Sequence, residues 1–223
     1  MTPKLFPAHG MKKTERMIPI PFELPVQIVS HPIRMATPEI DLVYPQVTGL
    51  ANPSAQTAIN LEIVTEFALL VQQLGYGNQN LVEMTGYYEV KTNERGVLSL
   101  LLVIYSFTGG AHGLTLAKGL TFDVHTGRRY RLGDLFKPDS GYTEVLSGFI
   151  GEWIEQWEVP VLEPFESISP DQDFYLADHS LTVFFQLYEL TPYVYGFPYF
   201  PIALKSLESI IADPSPAATL LPF

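Results

Sequence analysis

The chain has no cysteine among its 223 residues. This removes disulfide staples, thiolate metal centres and thiol nucleophiles together, yet fixes no compartment, because either redox environment tolerates a thiol-free chain. The chain also lacks any run of eighteen apolar residues, so no membrane span is expected within it. Lys4, Lys12, Lys13 and Arg16 give the N-terminus a basic character. The apolar stretch that follows, Met17-Ile18-Pro19-Ile20-Pro21-Phe22, is too short and too broken by proline for the core of an export signal. Bases are scarce where acids are dense: residues 138–223 hold thirteen acidic residues against the single base Lys205, whereas residues 1–137 hold twelve bases and eleven acids. An acidic pole of this kind repels nucleic-acid phosphates and anionic membrane and favours a cationic partner. Its plainer use is solubility.

What is present describes a folded chain. A hydrophobic content of 47% with 13% aromatics is that of a globular protein able to bury one substantial core, or two small ones sharing an interface. Val26–Val29 and Ile40–Tyr44 read as short strands of an antiparallel hairpin, separated by His31-Pro32 and Thr37-Pro38. Asn52 followed by Pro53 reads as a helix N-cap with proline at the first helical position. Ile59, Ile63, Phe67, Leu70 and Leu74 then recur at intervals of four, four, three and four, one apolar stripe that Gly75 and Gly77 terminate. Val82–Lys91 and Val97–Phe107 form a predicted hairpin, with a third strand over Leu114–His125. The run Leu100-Leu101-Leu102-Val103-Ile104 does not alternate, which predicts a central strand buried on both faces.

After the turn at Thr126-Gly127, Arg128–Leu132 continues as strand, and Leu146, Phe149, Ile150, Trp153 and Trp157 mark a second helix over Tyr142–Trp157 that Pro160 stops. The two tryptophans are placed to anchor it to a sheet. The acidic, proline-broken segment Val159–Asp171 reads as a loop. Phe174–Leu176 and Leu181–Phe185 read as another hairpin, and an aromatic stretch from Tyr188 to Phe200 leads into a short helix near Leu204–Ile211. The expected class is α+β: mainly antiparallel sheets, two principal packed helices and a short C-terminal helix. The expected organisation is a flexible basic tail over residues 1–23, an N-terminal α+β subdomain over 24–107, a C-terminal α+β subdomain over 108–212, and a tail over 213–223.

Three blocks carry a family resemblance: Ser106-Phe107-Thr108-Gly109-Gly110-Ala111-His112-Gly113; Thr121-Phe122-Asp123-Val124-His125-Thr126-Gly127 with Leu132-Gly133-Asp134-Leu135-Phe136; and Phe174-Tyr175-Leu176 leading into Tyr188-Glu189-Leu190-Thr191-Pro192-Tyr193 and Gly196. In this order and spacing they resemble the paired bacterial domains of unknown function 4163 (N-terminal) and 3298 (C-terminal), over roughly residues 24–212. The resemblance implies an extracytoplasmic recognition module. Such domains occur in the external part of an anti-sigma factor that senses lysozyme, a cationic protein, and beside a peptidoglycan deacetylase domain in another protein. The membrane segment and the catalytic deacetylase domain of those relatives have no counterpart in the residues read here, so neither role carries over.

Candidate chemistry is sparse. The glycine run at 109–113 lacks the Lys-Ser/Thr of a phosphate loop and joins two strands instead of opening a helix, so it reads as a turn in which neutral His112 donates to a backbone carbonyl. His112, Asp123, His125 and Asp134 are the residues from which a metal site could be drawn, since Asp123 and His125 are two apart on a strand; the plainer use of Asp123 and Asp134 is to cap backbone amides at turns. No metal and no cofactor is expected. Arg128, Arg129 and Arg131 are expected to pair with acidic side chains, with Arg129 and Arg131 on one strand face. The best candidate contact surface is the stretch Tyr188, Tyr193, Tyr195, Phe197 and Tyr199, whose rings can stack on sugars or enter a partner's cleft, or else simply cover a sheet. The preferred reading is a non-catalytic cell-envelope or secreted module binding a cationic, lysozyme-like protein or a peptidoglycan-type glycan. Two alternatives stay open: a cell-wall glycan hydrolase with a cleft near His112 and Asp123, and a cytoplasmic structural or interaction protein.

Overall fold

A computed structural model describes residues 25–222; the basic tail expected over 1–23 lies outside the described residues. The first hairpin pairs β1 (Gln27–Ala36) with β2 (Glu39–Thr48). Strand β1 runs straight through His31-Pro32, so only Thr37-Pro38 turns the chain. Helix α1 (Pro53–Gln73) follows, capped as its sequence dictates: the Asn52 side chain accepts from the amides of Ser54 and Ala55, and Gly75 and Gly77 adopt positive φ after Leu74. Because α1 carries the chain back along the sheet, β3 (Glu83–Glu94) lies parallel to β2, the single parallel pairing among the described strands. β3 and β4 (Val97–Phe107) close through Arg95 and Gly96, both at positive φ, the two-residue turn whose twist matches a hairpin. β5 (Leu114–Asp123) and the two-residue β6 (Arg129–Tyr130) complete a six-stranded sheet in sequence order. β4 and β5 pair over Val97–Ser106, so this sheet continues past residue 107.

A second sheet of β7 (Phe174–Ala177), β8 (Ser180–Phe184) and β9 (Tyr199–Ala203) lies on the first. Helix α2 (Tyr142–Gln156) covers its other face, and the layers run α1, six-stranded sheet, three-stranded sheet, α2. The β4 pattern follows from this stacking. Leu98, Leu100, Leu102 and Ile104 pack under Ile59, Ile63 and Phe67 of α1, while Leu101 and Val103 meet Phe184 of β8. Both faces are buried, so alternation disappears. Trp153 of α2 packs on Phe200 of β9 (6.4 Å between rings), but Trp157 is half exposed and only leans on Trp153. One tryptophan anchors the helix, not two. Beyond β9 come α3 (Leu204–Leu207) and α4 (Pro216–Thr219), and Ala217 and Leu220 are buried in the α2-side core, so residues 216–220 are packed rather than trailing.

The two sheets touch through backbone. A Cβ at Gly119 on β5 would stand 1.7 Å from the Phe174 carbonyl oxygen, a separation only glycine permits. Around this point Ser99 and Thr121 share a buried hydrogen bond (2.9 Å), the Leu176 amide donates to Ser99 Oγ (3.0 Å), and Thr92 Oγ1 donates to the Leu176 carbonyl (2.9 Å). Buried hydroxyls thereby satisfy the backbone of β7 where the sheets cross.

Gly119→Ala is expected to destabilise the protein by about 3 kcal/mol or more, because backbone must separate to admit the methyl group. Gly148→Ala, on the exposed side of α2 with nothing within 4 Å of the new atom, is expected to stabilise by about 0.5–1 kcal/mol. Urea unfolding of both variants tests the pair; a loss below about 1 kcal/mol for Gly119→Ala would contradict the close approach.

Candidate functional site

The turn between β4 and β5 and the loop between β8 and β9 meet at one end of the sheets. Gly109 and Gly110 take φ of 91° and 105°, and a Cβ at Gly113 would lie 2.3 Å from the Tyr105 ring, so the turn needs its glycines. His112 emerges from it with Nδ1 2.9 Å from the Gly113 carbonyl oxygen. A carbonyl can only accept, so the ring proton sits on Nδ1, and Nε2 accepts from the Tyr188 hydroxyl at 3.1 Å. The imidazole stacks on Tyr193 at 4.1 Å between centroids, and Tyr193 donates its hydroxyl to the same Gly113 carbonyl (3.1 Å). Two loops distant in sequence are thus joined by one histidine and two tyrosines.

The β8–β9 loop is tied down independently. Gln186 accepts from the Ala117 amide (3.1 Å) and donates to the Ala117 carbonyl (2.7 Å), completing the edge of β5 as a strand neighbour would. Glu189 accepts from the Gln186 amide and from the Gln172 side chain. With its base fixed, the loop projects a 3-10 turn over Tyr193–Tyr195 whose tip, Val194, is 93% exposed, with Tyr195 and Tyr188 also exposed beside it. Next to Tyr188 lies an open groove of about 780 Å³, walled by Phe165, Phe185 and Leu190 and carrying Glu163, Glu166 and Glu189. Glu163 and Glu166 are exposed and form no ion pair among the described residues. Aromatic tip and acidic groove together offer apolar contact surrounded by negative charge.

The five aromatic positions singled out in the sequence therefore separate. Tyr188, Tyr193 and Tyr195 belong to the projecting surface. Phe197 packs on the Leu101, Val103 and Phe184 cluster, and Tyr199 lies against Tyr175 and Phe184, so these two cover the sheets. Burial, followed by the negative charges of Tyr175, Glu89 and Tyr87, pushes the Tyr199 phenol up to about 12. The groove wall was hidden in the sequence. Its acidic, proline-broken segment reads as an ordinary loop, and only Phe165 between Glu163 and Glu166 hints at an apolar floor.

The four residues of the imagined metal or hydrolytic site do not assemble. His112 precedes β5 and Asp123 ends it, on the order of 30 Å apart along an extended strand. Asp123 Oδ1 instead accepts from the amides of His125 (2.8 Å) and Thr126 (3.2 Å), and the His125 carbonyl accepts from the Asn52 side chain. Asp134 pairs with Arg128 (3.1 Å) and accepts from the Arg131 amide. These carboxylates cap turns. A cleft built on His112 with Asp123 is thereby ruled out by geometry. Arg129 pairs with Glu62 and Glu66 of α1; β6 ends at Tyr130, so Arg129 and Arg131 share no strand face.

The comparisons with known proteins agree with the motif blocks. Residues 133–205 match the family described as "Protein of unknown function (DUF3298)", and residues 35–115 match the family described as "Deacetylase PdaC". The chain is 28% identical over 188 residues to the anti-sigma-V factor RsiV of Bacillus subtilis (strain 168), a match that covers 77% of this chain and 65% of that protein. The chain thus spans just under two thirds of the length of that curated relative. In fold it is similar to a crystal structure of a DUF3298 family member from Bacteroides fragilis (TM-score 0.62, 16% identity, 90% of this chain and 97% of that one). A DUF3298 family protein from Pseudomonas aeruginosa PAO1 is also similar (TM-score 0.59, 17% identity, 92% and 98%). No helix among the described residues is long and apolar enough to cross a membrane.

The raised Tyr199 phenol sets an alkaline expectation. A folded pKa near 12 against about 10 unfolded gives stabilisation that is complete below pH 10 and is lost as pH rises through 12. Tyrosinate absorbance should show a last-ionising phenol near 12 that vanishes in Tyr199→Phe; an unchanged titration would remove the assignment.

Proposed function

We propose that this chain is an extracytoplasmic recognition module that binds a cationic protein without catalysis. The observation that carries the reading is the exposed Val194 tip flanked by Tyr193 and Tyr195, standing beside a groove that bears Glu163 and Glu166. A projecting apolar and aromatic knob fits a concave partner, where desolvated aromatic anchors supply most of the affinity. The acidic surround accelerates encounter with a basic protein and lowers affinity for anionic ones. Likeness to an anti-sigma factor supports a protein partner, and the resemblance to a lysozyme-sensing anti-sigma factor suggests lysozyme as the first ligand to try.

Calorimetric titration with lysozyme at low and at high salt tests this. Val194→Asp places a charge on the tip of a residue that is 93% exposed, so the fold is preserved while binding is expected to fall by tenfold or more, about 1.4 kcal/mol. Glu163→Gln with Glu166→Gln should slow association several-fold and flatten the salt dependence. Absence of binding at low salt, or full affinity in Val194→Asp, would overturn the proposal.

A further inference from the structure

A second pocket lies on the other side of the turn that holds Gln172, where α1, β5, β6 and the approach to β7 converge. Its volume is about 260 Å³, below the roughly 300–1,000 Å³ of pockets that take drug-sized ligands. Six charged side chains line it: Glu66, Asp171 and Asp173 against Lys118, Arg129 and Arg131. Four of these are already matched. Lys118 Nζ lies 2.8 Å from Asp173 Oδ1, whose other oxygen accepts from Gln186, and Arg129 is held by Glu66 and Glu62. Burial lowers the Arg129 pKa, but the hydrogen bonds and charges of these two glutamates outweigh it and leave the guanidinium above its ordinary value. Each pair is half-buried and fixed, so the pocket floor is polar and electrically balanced.

The two remaining charges are different. Arg131 and Asp171 have no ion-pair partner among the described residues, and both line this pocket, from just past the end of β6 and from the loop before β7. The Tyr142 phenol registers the Asp171 charge: burial first, then Asp171, raises its pKa. A simple anion entering beside Arg131 meets three carboxylates, and a simple cation entering beside Asp171 meets three bases. Arg131 and Asp171 are both exposed, and a neutral ligand pairs with neither charge. One class of small ligand meets every condition: a zwitterion with a carboxylate for Arg131 and an ammonium for Asp171.

We infer that the pocket between Arg131 and Asp171 binds the ammonium-carboxylate head of an α-amino acid, at a site separate from the aromatic tip. The carboxylate lies on the guanidinium fork, the ammonium donates to Asp171, and the paired floor of Lys118–Asp173 and Arg129–Glu66 excludes ligands of net charge. The side chain of the amino acid points outward through the open mouth, so the site selects the head group and tolerates variation beyond it.

Amide chemical-shift titration of the full chain with alanine, with acetate and with methylammonium tests the inference. Alanine is expected to give saturable shifts centred on residues 129–132 and 171–174, with at least tenfold weaker response to either single-charge analogue. Arg131→Gln and Asp171→Asn should each weaken alanine at least tenfold. The Arg131 interaction with Asp134 uses its backbone amide, so a melting temperature held within a degree or two separates lost binding from lost fold. Acetate or methylammonium binding as tightly as alanine, shifts that never saturate, or full affinity in both variants would overturn it.

Discussion

The close crossing of β7 over β5 at Gly119 is the constraint on which the rest of the molecule depends. Two sheets ordinarily pack about 10 Å apart through their side chains; here the Phe174 carbonyl approaches a residue with no side chain to interpose. Such proximity leaves backbone groups of β7 facing the first sheet; the Thr92 and Ser99 hydroxyls satisfy those of Leu176, and Thr121 bonds Ser99 in turn. It also places Phe184 onto Leu101 and Val103, which gives β4 its second buried face. The four-layer order follows from this contact together with the apolar stripe of α1.

Both candidate sites are consequences of the same crossing. Because β7 and β8 lie over β5, the chain leaving β8 passes the open edge of β5, where Gln186 bonds both backbone groups of Ala117. That attachment fixes the base of the loop whose far end carries Tyr193, Val194 and Tyr195. On the approach to β7, the same geometry brings Asp173 to Lys118 and leaves Asp171 across a small pocket from Arg131. His112 then serves the loop from below. Its ring, held in the glycine-rich turn, orients Tyr188 and Tyr193.

Local features of the fold were legible in the sequence, and long-range ones were not. Asn52-Pro53 with the Ile59–Leu74 stripe specifies α1 because capping and periodicity are short-range properties. The unalternating Leu100–Ile104 run announces a strand covered twice. Nothing local reveals that Asn60, Asn93 and Gln186 would each bond both the amide and the carbonyl of one distant residue. Asp123 and His125 share a strand face only if the strand continues; the Asp123 turn ends it first. Tyr199 and Phe197 look like Tyr193 and Tyr195 in sequence, and differ in what they meet: Tyr199 lies on the Tyr175 and Phe184 rings and Phe197 on the Leu101–Phe184 cluster, whereas Tyr193 and Tyr195 sit in the projecting turn. The acidic groove needed tertiary structure, since Glu163 and Phe165 on one segment meet Phe185 and Glu189 on another.

The central claim is that recognition belongs to the end of the sandwich where the β8–β9 loop and the acidic groove meet, and not to the exposed apolar residues of α1 and β1, such as Leu61, Val64 and Ile33. Hydrogen exchange of the full chain with and without lysozyme reads this directly. The account predicts added protection confined to residues 162–167 and 188–196, with α1 and β1 unchanged. Protection concentrated on α1 or β1, with the Tyr193–Tyr195 turn unaffected, would contradict it.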